Sequence, residues 1–527
     1  LEERLCPNVV TTLKFLDHAL VKFHVGLTDS KPFHVMIVAK RFLGISFALA
    51  LVLLAALPLE AQVSWDFMEP IDVASSDFGN RCPRLVLDAS GNPVVFVGKT
   101  NEGMFVVTSD NGSFNEPQLV PTEPGIFLSD AEGPDVAVWG NTIGLAYQIA
   151  GQWATGSRFM RSDDGGQTWS ASHPIAPNAT EDHFMPIPSF DEQGNPFVAL
   201  KLGAGNNARE AVLRSPDGGG TWTAAVVASF GAGNGIACEC CPSRTIFGNG
   251  RYHTIYRRND NNVRDMWLVS SEDGLLWDQQ LDLDPTNWLI SACPETGASS
   301  AWLPDGRLAT AFMSAGEGSS RVYLNLSDPA AGNAGSTQLL VPSLQNNAVQ
   351  NQPDIAVGAT HTAVAWQENS SGWQIHLALT ANTNLPEGLI DVGFPITLPF
   401  DNLSGSNRHP EVAIHGNDLH VIWQNSGDGT VKYLRGSLES VSQIAPQSKP
   451  KQDARLSRRG AGVVTLQGAT AHSAYRILSP TGSILHEGLC DALGGAILPS
   501  QHSHAQLLLV QAQTTQGSTL LKLGFGR

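Results

Sequence analysis

From about residue 80 onward, short apolar stretches alternate with turn residues, and none keeps the three-to-four-residue spacing of an amphipathic helix. Runs such as Pro93-Val94-Val95-Phe96-Val97 and Leu419-His420-Val421-Ile422-Trp423 have the β-branched and aromatic make-up of buried strands. They recur in a fixed unit: a proline, a short alternating apolar stretch, a turn, a second apolar stretch, then a turn and another strand. Its starts are Cys82-Pro83-Arg84, Gly133-Pro134-Asp135, Met185-Pro186-Ile187, Cys241-Pro242-Ser243, Cys293-Pro294-Glu295, Gln352-Pro353-Asp354 and His409-Pro410-Glu411. Successive prolines stand 51, 52, 56, 52, 59 and 57 residues apart. Four short strands with their turns need about that much chain, so the pattern predicts an all-β fold, a β-propeller, over 62–440.

A tighter pattern, Ser-x-Asp-x-Gly-x-x-Trp, sits inside several units. Its clearest copies place Ser162, Asp164, Gly166 and Trp169, and again Ser215, Asp217, Gly219 and Trp222. The stretch Ser270–Trp277 reads as a variant with Glu272 at the acidic place, and Thr108–Phe114 as a copy one residue short. Ser and Asp side chains can bind the backbone N–H groups of a hairpin turn, Gly supplies positive φ, and Trp anchors the returning strand. These residues resemble the Asp-box, or BNR, repeats of the sialidase-like β-propellers. The resemblance puts the boxes on hairpins away from the active site, with a structural role. Seven repeat starts predict seven blades, whereas the resemblance implies six.

Charge and cysteine content narrow the setting. The 527 residues carry 32 Lys+Arg against 49 Asp+Glu, a formal charge of −17. Residues 62–450 alone hold 19 basic and 41 acidic groups. Such a surplus of acid argues against binding nucleic acid or an anionic membrane. Met36, Lys40-Arg41, the apolar run Phe42–Leu57 and Ala61 have the three parts of an export signal over 36–61, after which no membrane span is expected. Residues 1–35 read as translated upstream sequence. Export suits disulfides, and Cys238, Cys240, Cys241 and Cys293 are their candidates, with Cys240 or Cys241 bridging to Cys293. Two cysteines one residue apart beside a third crowd a thiolate metal site, so neither metal nor cofactor is expected.

Past a linker at 441–453, residues 454–527 contain no Trp, and 451–527 carry seven basic against three acidic groups. Strand-like stretches such as Val463–Leu466, Tyr475–Leu478 and Leu507–Val510 suggest a small β-sandwich. The segment resembles the type A sorting domain of type IX secretion in Bacteroidota, which implies partnership with that machinery and a secreted or cell-surface location.

Candidate chemistry concentrates in one stretch. Arg244, Arg251, Arg257, Arg258 and Arg264 are five of the fifteen arginines between residues 62 and 450. Guanidinium binds carboxylates through paired hydrogen bonds, so the cluster suits an anionic sugar. The stretch from Cys238 to Pro294 also resembles secreted bacterial BNR proteins termed sialidase-like, with shared CxCCP, YR…N-x-RD and W-x-I…CP segments. That resemblance implies a protein acting on glycans or glycoproteins and hydrolysing terminal sialic acids. The competing reading is a non-catalytic cell-surface propeller that binds carbohydrate or protein. Mapped onto this chain, the sialidase machinery assigns the carboxylate-binding arginine triad to Arg81, Arg244 and either Arg258 or Arg264. It makes Tyr256 the nucleophile, Glu239 or Glu295 its base, and Asp265 the acid.

Overall fold

The computed structural model describes residues 64–110, 112–230, 237–340, 348–387, 396–397 and 405–439, together with strand segments between 455 and 524. The stretches read as upstream sequence, export signal and linker (1–35, 36–61, 441–453) lie outside the described residues. The chain divides into two compact units, one ending at Ser440 and the other spanning Val441–Arg527. Apart from three short 3-10 turns, every regular element among the described residues is a strand. No helix among them is long and apolar enough to cross a membrane.

In the first unit each repeat start opens the innermost strand of its own antiparallel sheet. These inner strands are Arg81–Leu87, Asp135–Trp139, His183–Phe190, Arg244–Gly248, Ala298–Trp302, Val349–Val357 and Asn407–His415. Seven such sheets stand among the described residues, each inner strand packs against the next, and the seventh returns to the first. The ring is closed by the early strand Ser64–Phe67, which pairs with Thr430–Glu439 in the last sheet. The unit is therefore a β-propeller. Its apolar core is divided among the faces between neighbouring sheets: Phe96, Met104 and Val106 meet Ile143, Leu145 and Tyr147, for example, and Leu85 and Val95 meet Ile422 and Tyr433. Radial repetition of this kind leaves only the short outer strand of each sheet as an edge.

Four inner strands share a kink. Cys82, Met185, Gln352 and His409, each immediately before a proline, adopt φ of 45°, 53°, 48° and 50°. The register slips there, between Arg81 and Arg84, Phe184 and Ile187, Asn351 and Asp354, and Arg408 and Glu411. A bulge at this position re-aims the side chain that follows it. Residues other than Gly tolerate positive φ only where the surroundings enforce it, and such positions gather near functional surfaces.

The boxes form as their residue types require. Gly166 N–H donates to Ser162 Oγ at 2.8 Å, and Thr168 N–H and Oγ1–H donate to the Asp164 carboxylate at 2.8 and 2.6 Å. The same bonds recur at Ser215, Asp217 and Thr221. Trp169 packs edge-on against Phe96 of the preceding sheet and Trp222 against Phe159. The third copy differs from the sequence reading: Asp273, not Glu272, takes the acidic place, accepting from the N–H groups of Leu275 and Leu276 at 2.8 Å. Glu272 points outward and pairs with Arg251.

The second unit holds a three-stranded sheet (Arg455–Arg459, Val463–Gln467, Ala496–Ile497) and a four-stranded one (Ile484–Leu489, Ala474–Leu478, Leu507–Thr514, Gly517–Gly524). Leu466, Tyr475, Ile477 and Val510 are buried within it.

Candidate functional site

Antiparallel strands place alternate connections at opposite ends of the ring. The boxes lie with the turns between first and second strands, as Gly165 N–H bonding Asn141 O shows. The other end carries the strand two-to-three turns and the connections between sheets. There a cleft of about 340 Å³ is lined by Phe127, Glu132, Trp153, Asp182, Phe184 and Glu239, among others. Trp153 is 41% exposed and meets Phe127 edge-on at 5.5 Å between ring centroids. Glu239 accepts the backbone N–H of Gly205, which fixes its carboxylate. Half-buried Glu132 has its pKa raised, first by burial and then by the negative charges of Glu295 and Glu239. Three glutamates from three sheet connections thus share one neighbourhood, and one of them is pushed toward holding its proton.

Beside this cleft, on the propeller axis, a smaller pocket of about 110 Å³ is lined by Arg84, Asp135, Arg244, Asp354 and Glu411, with Asp130 and His409 at its margin. Arg84 lies within 3.3 Å of Glu411 and 3.5 Å of Asp135. Asp354 accepts from Ser299 Oγ–H and from Val412 N–H. With Asp130 paired to Arg81, the three remaining carboxylates face two guanidiniums, leaving one surplus negative charge. Burial pushes the Glu411 pKa up to about 8 despite Arg84, with Asp354 and Asp135 adding to the rise. A proton on this cluster balances the charge.

The residues singled out in the sequence are dispersed. Glu239 and Glu295 belong to the acid group around the cleft, and Arg244 to the axial pocket. Arg81, 44% exposed at its side chain, is held by Asp130 at 3.1 Å. Arg258 pairs with Asp260 and lies over the Trp267 ring. Buried Arg264 donates to Cys238 Sγ at 2.7 Å and to Ile290 O at 3.2 Å. The four arginines therefore do not converge as a carboxylate-binding group. Tyr256 is enclosed in the core between the third and fourth sheets, its hydroxyl accepting from Phe230 N–H, and burial raises its pKa. This removes it from contact with a substrate in either pocket. Asp265 is buried, accepts from Trp288 N–H and lines neither pocket; burial, then Asp284 and Asp282, push its pKa up to about 7. Of the four cysteines, Cys240 and Cys293 are bonded, while Cys238 and Cys241 are buried free thiols.

Sequence reasoning passed over Glu132, Trp153 and Asp182, which lie in connections with no recurring motif. It also passed over Arg84, Asp135, Asp354 and Glu411, although a signal was present. Each directly follows the proline of a repeat start, where an inner strand should carry an apolar residue.

Residues 83–341 match the family model described as a BNR repeat-like domain. No curated protein sequence matches the chain. Among solved structures, a Dyadobacter fermentans protein of unknown function is 13% identical, with 60% of this chain and 98% of that one covered and a TM-score of 0.42. An α-L-arabinanase of Penicillium chrysogenum solved with arabinobiose is 16% identical (58% and 92% covered, TM-score 0.37). A Trypanosoma rangeli sialidase solved with 2,3-difluorosialic acid is 10% identical (88% and 89%, TM-score 0.39). At these values no residue correspondence extends to the cleft. With its sheets closed in a ring the first unit is a β-propeller, and the BNR repeat-like model lies across its first five sheets.

Proposed function

We propose that the propeller binds a glycan in the loop-end cleft and hydrolyses it by acid–base chemistry on the glutamates gathered there. The observation that carries this reading is Glu132, a carboxyl with a raised pKa beside Glu239 and Glu295 in a cleft walled by Trp153, Phe127 and Phe184. A carboxyl that keeps its proton can donate it to a glycosidic oxygen, while an ionised neighbour activates water or steadies the developing cation. Exposed aromatic faces offer sugars an apolar platform. Four acids in and around the cleft favour a neutral sugar over an anionic one at that position.

A second reading places an acidic sugar, such as a terminal sialic acid, at the axial pocket. It is favoured by Arg244, whose Nε is buried without a hydrogen-bond partner. The test is turnover on neutral oligosaccharides, uronate polymers and sialosides, by wild type and by Glu132→Gln. Loss of neutral-sugar turnover in the variant supports the first reading. Sialoside turnover lost in Arg244→Met supports the second. Binding without turnover on every substrate supports a glycan-binding propeller. The C-terminal unit is read, with the export signal, as the module that sends the propeller through type IX secretion; deleting 454–527 should then leave the protein in the periplasm, and unchanged export would refute that role.

A further inference from the structure

The sulfur atoms of the fourth sheet form a connected series that the function above leaves unused. Cys238 Sγ lies 3.3 Å from Cys241 Sγ and 3.6 Å from Cys240 Sγ, and Cys240 is bonded to Cys293. Cys238 and Cys241 are wholly buried, whereas Cys293 is exposed to solvent. Around Cys238 stand Arg264, in direct contact at 2.7 Å, and the charges of Lys201 and Arg257. Lys201 is itself tied to Glu210 and Ser243 in the interior. Cys238 is thus the sulfur most favoured as thiolate, through its contact with Cys241 and these three cations, while burial keeps the proton on Cys241.

We propose that the four cysteines form an internal thiol–disulfide exchange chain, in which the bond moves between Cys240–Cys293 and Cys238–Cys241. The Cys238 thiolate attacks Cys240 Sγ, the Cys238–Cys240 bond forms, and Cys293 leaves as a thiolate at the surface. Cys241 then attacks Cys238 Sγ; the Cys238–Cys241 bond forms, and the proton of Cys241 passes to the departing Cys240 sulfur. One disulfide and two thiol groups are present before and after, so no external oxidant is consumed. The end state is a Cys-x-x-Cys bridge within one segment. It unties that segment, which carries Glu239, from the one that carries Glu295.

Tryptic fragments separate the two states, because residues 215–244 hold Cys238, Cys240 and Cys241 while residues 265–307 hold Cys293. Native full-length protein equilibrated at pH 8 with catalytic glutathione, then acid-quenched, alkylated and digested, should yield both the linked pair and an internally bridged 215–244 fragment with alkylated Cys293. Cys238→Ser should leave only the linked pair and slow its reduction by added thiol at least tenfold. Cys241→Ser should abolish the internal Cys238–Cys241 bridge yet keep the fast reduction, which separates the first attack from the second. Finding only the linked pair in wild type at equilibrium overturns the proposal. So does a Cys238→Ser protein that is reduced as fast as wild type.

Discussion

The two ends of the propeller use the same residue types in opposite ways. At the box end, Asp164 and Asp217 turn their carboxylates on N–H and hydroxyl groups four residues away, and the Asp217 pKa is lowered to about 2. At the loop end, Glu132 and Glu411 lie among other carboxylates, and burial raises both. A carboxylate saturated by its own turn is held ionised and has little left to offer a ligand; one crowded and desolvated keeps a proton it can give away. Position on the ring therefore says more about each acid than its abundance in the sequence.

The largest expected effect tests that contrast at its chemical end. Glu132→Gln should lower glycan turnover by about 10²–10⁴-fold while leaving binding in place, since it removes a proton donor and keeps the shape. Equal turnover in variant and wild type would place the chemistry elsewhere. Trp153→Ala, by contrast, should weaken glycan binding and leave the melting temperature nearly unchanged, because the indole is substantially exposed.

The axial cluster gives a pH signature. The Glu411 carboxyl has a folded pKa near 8 against an ordinary 4.5. Between those values the unfolded chain has released a proton that the folded chain retains, so this group makes stability fall as pH rises from about 4.5 to about 8. Glu411→Gln has no such group. Its melting temperature relative to wild type should climb between pH 5 and pH 8, and a constant difference would mean that Glu411 is ionised throughout.

What was legible beforehand follows the reach of each interaction. Repeat starts, strands and boxes were readable because each is decided within about ten residues: Ser215, Asp217, Gly219 and Thr221 bond one another across a single hairpin. Residues 132, 153 and 239 meet only after three sheets have packed around the ring, and nothing in their local sequence announces it. The arginine-rich stretch misled for the same reason. Its members share a segment, but they sit at different places in the sheet: Arg251, at one end of its strand, reaches Glu272 and Asp278 on the surface, Arg257, at the other end, reaches backbone carbonyls, Arg264, in the turn that follows, reaches Cys238, and Arg244, on the inner strand, reaches the axis. The third box shows the limit even of local reading, since a one-residue slip in the turn exchanges Glu272 for Asp273.

At the box end, packing outweighs charge. Gly219 has φ of 106°, and a Cβ built there would come within 2.4 Å of the Phe159 ring of the neighbouring sheet. Gly219→Ala should therefore cost about 2 kcal/mol, seen as a lower denaturant midpoint with unchanged ligand binding. Asp217→Asn should do less. An amide oxygen still accepts from Thr221 N–H, and the lost charge lies at the surface, where solvent screens it. Because the Asp217 pKa is lowered from 3.8 to about 2, its contribution is present above pH 3.8 and disappears as pH falls through about 2. The variant should match wild type most closely in acid and fall slightly behind near neutrality. Should Asp217→Asn instead abolish glycan turnover without altering the melting curve, the box end would carry chemistry, and the division between the two ends would fail.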